Sequence, residues 1–145
     1  LDLSGSGFGN LEPATFSGFP RLSTLHLKSN NISSLSQDVF LGLEALKFLY
    51  LDDNFLVELK GNMFSSHPSL AILHLSNNEI ATVEVGFFSR FPNLLSIELQ
   101  SNKLVTLPPG AFANLHELRE IDLKDNKLER LDGDVFKDLR NVQAI

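Results

Sequence analysis

The chain contains no cysteine. It therefore has no disulfide framework and no C-x-x-C redox motif. Small secreted domains lean on disulfides where their core is thin, whereas a cytosolic chain has no such need, so compartment is not settled by this absence alone. Long hydrophobic runs are also missing: no stretch approaches the ~18 apolar residues of a membrane-spanning helix. Positive charge is scarce, with 12 Lys and Arg against 18 Asp and Glu and a net charge of −6. A basic surface that tracks phosphates is not indicated, and nucleic acid is not expected as a partner. Walker loops, H-E-x-x-H, EF-hand loops and the nucleophile elbow G-x-S-x-G do not occur, so an enzyme is the poorer hypothesis and no cofactor is expected. With 43% hydrophobic and 21% charged residues, the composition is that of a folded soluble chain.

What is present is a ladder with a period of 24 residues. One rung is Asn30, Asn54, Asn78, Asn102 and Asn126, with Ser6 standing where the first Asn would be. A second is Phe16, Phe40, Phe64, Phe88, Phe112 and Phe136. Between them Leu25/Leu27, Leu49/Leu51, Leu73/Leu75, Ile97/Leu99 and Ile121/Leu123 keep the same phase, begun by Leu1/Leu3. The L-x-L alternation has period two, so both leucines of a pair point inward and the residues between and beside them face out. Each unit is then a short strand with a return path, and successive units pair in parallel about 4.8 Å apart.

The phrase Leu22-x-x-Leu25-x-Leu27-x-x-Asn30-x-Ile32, repeated to the end of the chain, resembles the leucine-rich-repeat signature. The tail Leu107-Pro-Pro-Gly-Ala-Phe112-Ala-Asn-Leu115-His-Glu-Leu118 is similar to the 24-residue class of extracellular repeats found in Toll-like and hormone-receptor ectodomains, secreted carrier subunits and lamprey variable receptors. The resemblance implies an α/β fold: a curved horseshoe solenoid with a parallel sheet on its concave face and short turns or single helical turns on its convex side. Residues 1–145 are expected to form one array of about six repeats. The resemblance also implies disulfide-bearing caps, which this sequence lacks, so we expect a piece of a longer protein. Without caps, both ends leave core residues open, Leu3, Phe8, Leu11 and Phe16 at one and Leu131, Phe136, Val142 and Ile145 at the other.

The Asn rung stands where the chain leaves the strand, and an inward amide there can satisfy backbone groups of its own and the adjacent repeat. Ser6 has a shorter reach, and Gly5, Gly7 and Gly9 add freedom, so the first turn should be looser. Ser4-Gly5-Ser6-Gly7-Phe8-Gly9 falls on that turn and is not read as a phosphate loop. The Phe rung should pack Phe on Phe down the return side, with Phe19, Leu43, His67, Phe91, Leu115 and Leu139 in the neighbouring column. His67 is the one polar member, expected to be a satisfied core histidine. Pro20, Pro68 and Pro92 discourage a continuous helix on that side.

The binding information should lie in the outward columns. Phe48, Tyr50, Ala71, Ile72 and Leu95 come together as an apolar and aromatic patch, ringed by His26, His74, Asp52, Asp53 and Glu98. Hot spots favour aromatic anchors with such a polar ring. Exposed aromatics on strands can also serve cross-strand packing alone, and that alternative stays open. Toward the C-terminus the face turns acidic through Glu98, Glu120, Asp122 and Asp125, with Arg119 and Lys124 interleaved, which suits a partner with a basic edge. No metal is expected: His26 and His74 lie about 10 Å apart across Tyr50, and Asp132 and Asp134 around Gly133 are ordinary turn residues.

Asn31-Ile32-Ser33 is a glycosylation sequon at a solvent-facing position, with Phe55 in the equivalent place one repeat on. Phe87, on the return path, marks a candidate lateral contact.

The function expected is non-catalytic recognition of a protein or peptide ligand on the concave face, within an extracellular receptor or secreted leucine-rich protein, with no membrane insertion in this segment. Two other readings stay open: a structural or carrier subunit that stabilises a secreted enzyme or matrix component, and an intracellular adaptor.

Overall fold

The computed structural model describes residues 1–64 and 67–145. Its strands are β1 (Thr24–His26), β2 (Phe48–Tyr50), β3 (Glu58–Leu59), β4 (Ile72–His74), β5 (Thr82–Val83), β6 (Ser96–Glu98) and β7 (Glu120–Asp122). The main sheet is parallel in the order β1-β2-β4-β6-β7, and the smaller one pairs β3 with β5. Every pairing steps by one repeat: Leu25 opposes Leu49, Leu49 opposes Leu73, Leu73 opposes Ile97 and Ile97 opposes Ile121. Single bridges from Asp2 to His26 and from Glu120 to Ala144 extend the sheet at both edges.

Strands are this short because the turn follows at once. Two residues past the second inward leucine, Gly5, Ser29, Asp53, Asn77, Ser101 and Asp125 all adopt a left-handed backbone, with φ between 53° and 63°. That conformation is uncommon for residues with a side chain, and Asn and Asp tolerate it best. The backbone thus dictates a column that looked like free surface choice.

The next residue is the Asn rung, and its amide ties two repeats together. Asn54 Nδ2 donates to the carbonyls of Leu51 and Asp52 in its own repeat and Leu27 in the preceding one. Its Oδ1 accepts the Ile32 amide at 3.1 Å. Asn30, Asn78, Asn102 and Asn126 repeat the arrangement, each accepting an amide of the preceding repeat, from Phe8, Leu56, Ile80 and Leu104. Buried backbone groups at the strand exit are in this way satisfied without a further strand.

Behind the sheet the pairs from Leu25/Leu27 to Ile97/Leu99 are fully buried, and Leu3 and Leu123 at the two edges are partly buried. On the convex side the return path is made of turns and two short 3-10 helices, Gly61–Met63 and Phe88–Arg90. No α-helix occurs among the described residues, so the solenoid is built from strands and turns. The Phe rung stacks from Phe16 to Phe40 to Phe64 and again from Phe88 to Phe112 to Phe136. Between Phe64 and Phe88 the stack changes: Phe87 and Phe91 meet the Phe64 ring edge-on, at 5.8 and 5.2 Å. His67 is 6% exposed, with Nε2 3.1 Å from the Phe40 carbonyl, and takes the core position expected of it.

Two expectations need correction. Phe87 is 0% exposed and belongs to the core, so it offers no lateral contact. The adjacent Phe87-Phe88 pair turns both rings inward, packed edge-on 5.0 Å apart. Phe19, expected inside the neighbouring column, is 48% exposed, whereas Phe16 of the same repeat is 2% exposed and holds the core position there.

Candidate functional site

The outward residues of β1, β2, β4 and β6 meet in one strip across the sheet. Registered pairing aligns Phe48 with Ile72, and His26 with Tyr50, His74 and Glu98 in the neighbouring column. Phe48, Tyr50, Ala71, Ile72 and Leu95 are all half-buried, which keeps an apolar strip accessible on a face that is otherwise polar.

Tyr50 is the centre of this strip. Its ring stacks on His26, with centroids 4.4 Å apart and planes 3° apart, and meets His74 edge-on at 4.8 Å. Such contacts fix a large side chain in one rotamer and lower the entropy it loses when a partner covers it. The two histidines lie on opposite sides of the tyrosine and do not converge.

His74 instead faces two carboxylates. Its Nε2 is 3.2 Å from Glu98 Oε1 and its Nδ1 is 3.8 Å from Asp52 Oδ2. Asp52 lies deeper than a rim residue should, and its Oδ1 accepts the Ser76 amide at 3.1 Å. Partial burial pushes the Glu98 carboxyl above its ordinary value; His74 opposes this, and the charges of Asp52, Glu120 and Asp122 add to it. Negative charge is thus concentrated around one imidazole.

Asp53 stands apart, in the left-handed turn, 3.3 Å from Lys28 Nζ and accepting from the Ser29 hydroxyl. Asp122 continues the central column and accepts the Lys124 amide at 2.9 Å. Glu120, Arg119, Lys124 and Asp125 are exposed beside it. The acidic C-terminal half of the face is therefore solvated, whereas its aromatic half is packed.

Ser76 and Gln100 were not singled out in the sequence, where they are two polar residues among many. Ser76 is 3% exposed, and neither its Oγ nor Gln100 Oε1 has a hydrogen-bond partner, although both atoms are buried. Both follow Asp52 in its column at the 24-residue spacing, beside His74 and Glu98.

Away from this face, Asn31 is exposed, its Nδ2 3.5 Å from the Gly7 carbonyl, and Phe55 is 53% exposed. Asp132 and Asp134 lie in an exposed turn, their carbonyls accepting the Val135 and Lys137 amides. A separate depression lies at the C-terminal edge, lined by Leu123, Leu128, Leu131, Phe136 and Ile145. It is an open end of the core and does not touch the aromatic strip.

The model of the leucine rich repeat family matches residues 1–56, 48–104, 68–128 and 92–145. Among solved structures, the chain is similar to a chain of the Toll–Spatzle complex, a molecular hub in Drosophila development and innate immunity, with 28% identity and a TM-score of 0.85. That match covers 94% of this chain and 18% of the other. A chain of the glycosylated form of the complex aligns at 22% identity and a TM-score of 0.81, covering 90% of this chain and 19% of that one, and carries the fold alone. This chain thus spans less than a fifth of the length of either. No curated protein matches its sequence significantly. No helix among the described residues is long and apolar enough to cross a membrane.

Proposed function

The chain belongs to the leucine-rich repeat family, and we propose that it is a non-catalytic recognition module that binds a protein or peptide on its concave face. The observation that carries this reading is the His26–Tyr50–His74 stack, flanked by half-buried Phe48 and Ile72 and bordered by carboxylates. Apolar groups held in fixed rotamers within a polar ring are what a binding hot spot needs. The partner covers Phe48, Tyr50, Ile72 and Leu95, and sets a basic edge against Glu98 and Asp122. His26, Asp52, Asp53 and His74 form the rim.

The likeness to a chain of the Toll–Spatzle complex supports a protein as the class of partner and an extracellular location, as part of a receptor or secreted protein. Asn31 then carries a glycan that lies beside Phe55. The carrier-subunit reading calls for a flank or convex contact, and Phe87, the one offered for it, is consumed by the core.

The test is affinity capture from extracellular fluid with the immobilised chain, its Phe48→Ala/Tyr50→Ala variant, and a Val85→Ser variant on the opposite flank, where Val85 is 70% exposed. A protein retained by wild type and Val85→Ser but lost from the double variant supports the reading. Retention that depends on Val85 and is indifferent to Tyr50 contradicts it.

A further inference from the structure

We propose that Asp52, His74 and Glu98 form a zinc-binding site on the concave face. One donor atom from each residue lies within 4.8 Å of the other two. Zinc binds imidazole nitrogen and carboxylate oxygen at about 2.0–2.2 Å, which places tetrahedral ligand atoms roughly 3.2–3.5 Å apart. His74 Nε2 and Glu98 Oε1, at 3.2 Å, already have that spacing, and the remainder is closed by the Asp52 carboxylate, whose Oδ2 stands 3.8 Å from Nδ1 of the same ring. The three residues come from neighbouring repeats, and the register of β2, β4 and β6 holds their backbones in place.

An imidazole beside two carboxylates is by itself an ordinary ion-paired histidine. The second observation that separates the two is the pair of orphaned oxygens. Ser76 is the next outward residue after His74 on its own chain, and its amide already holds Asp52 Oδ1. Its buried hydroxyl has no partner, and neither does Gln100 Oε1 in the next repeat. A buried hydroxyl left without a partner is costly, so Ser76 Oγ, beside Asp52 and His74, calls for an occupant. Three protein ligands leave one position of a tetrahedral zinc open, and water there supplies the hydrogen-bonding group that these oxygens lack.

Charge points the same way. Glu98 and Asp122 are register partners across β6 and β7, and the Asp52 carboxylate stands beside His74, a concentration of negative charge that a divalent cation offsets. The mixed nitrogen and oxygen donor set suits zinc better than calcium, which prefers six to eight oxygens. The site depends on no assumption about a protein partner.

The chain is titrated with ZnCl2 against a chromogenic chelator, and cobalt(II) serves as a spectroscopic probe. One equivalent should bind, with visible absorption of four-coordinate cobalt. His74→Ala and Glu98→Gln should each weaken binding at least about tenfold, since loss of an outer-shell partner alone costs that much. His116→Ala, at an exposed histidine on the return path, should match wild type. Far-UV circular dichroism checks that each variant is folded, and Glu98→Gln and 15N shifts of His74 provide measurements that do not depend on His74→Ala. The proposal is overturned by absence of stoichiometric uptake, by uptake undiminished in His74→Ala and Glu98→Gln, or by His74 15N shifts that zinc leaves unmoved. The last result assigns the trio to an imidazole held between two carboxylates.

Discussion

The two faces of the same short strands answer to different physics. Leu49 and Leu51, Leu73 and Leu75, and Ile97 and Leu99 turn inward, fully buried and nearly interchangeable from one repeat to the next. Tyr50, His74 and Glu98 turn outward from the same strands and share neither size nor charge. A side chain in the stack must fit identical neighbours above and below, so the inward positions converge on one shape. Outward positions carry only the weak constraint of cross-strand contact, which leaves them free to be chosen by what they bind. Periodicity therefore describes the scaffold, and departures from it describe the site.

The largest effects should come from breaking the inward face. Leu73→Ala should cost about 2–5 kcal/mol in denaturant unfolding, because a cavity is left in a layer that cannot collapse around it. Asn78→Ala should follow, at about 2–4 kcal/mol: it strips the Leu56 amide of its acceptor and the carbonyls of Leu51, Leu75 and Ser76 of their donor. Tyr50→Ala tests the other side of the comparison. Loss of its two ring contacts should cost only about 0.5–1.5 kcal/mol, while partner binding falls far more.

The smallest effect expected is a change of slope with pH. Burial raises the Glu98 carboxyl above its ordinary value, helped by Asp52, Glu120 and Asp122 and opposed by His74. Between its unfolded and folded values the native state holds more protons, so its contribution to stability declines as pH rises through that window. In the presence of a chelator, Glu98→Gln should remove this decline, read as a flatter difference between the two melting profiles across the acid range. An unchanged slope would place Glu98 in ordinary solvent and weaken the case for a charged cluster.

Much of this was legible in the sequence because the repeat imposes it. The strand register, the inward leucines, the Asn ladder and the core role of His67 all follow from spacing and period. The column Gly5, Ser29, Asp53, Asn77, Ser101 and Asp125 could be listed but not explained, since a left-handed backbone is not visible in a hydrophobic pattern. Asp53 is a candidate site residue in that column, and its left-handed backbone is one that Asp tolerates well. Phe87 was misplaced for a related reason: period alone assigns one Phe per repeat to the core, and the extra ring enters by displacing the direct contact of Phe64 with Phe88.

The candidate site was half legible. The column arrangement put Phe48, Tyr50, Ile72 and His74 side by side, but it could not show which neighbour an imidazole prefers. Side-chain geometry turns His74 toward Asp52 and Glu98 and leaves His26 to stack on Tyr50. Ser76 and Gln100 were invisible in the sequence because an unpaired hydroxyl or amide oxygen is a property of packing, not of residue type.

The central claim is that stability and recognition reside on opposite faces of the same strands. It is tested most directly by measuring thermal melting and partner retention together for Phe48→Ala/Tyr50→Ala and for Leu73→Ala. The outward double variant should melt within a few degrees of wild type, at about 2–4 °C per kcal/mol for a domain near this size, and lose its partner; Leu73→Ala should melt far lower. A double variant that melts as low as Leu73→Ala, losing its partner only in proportion to unfolding, would contradict the claim and return both aromatics to the scaffold.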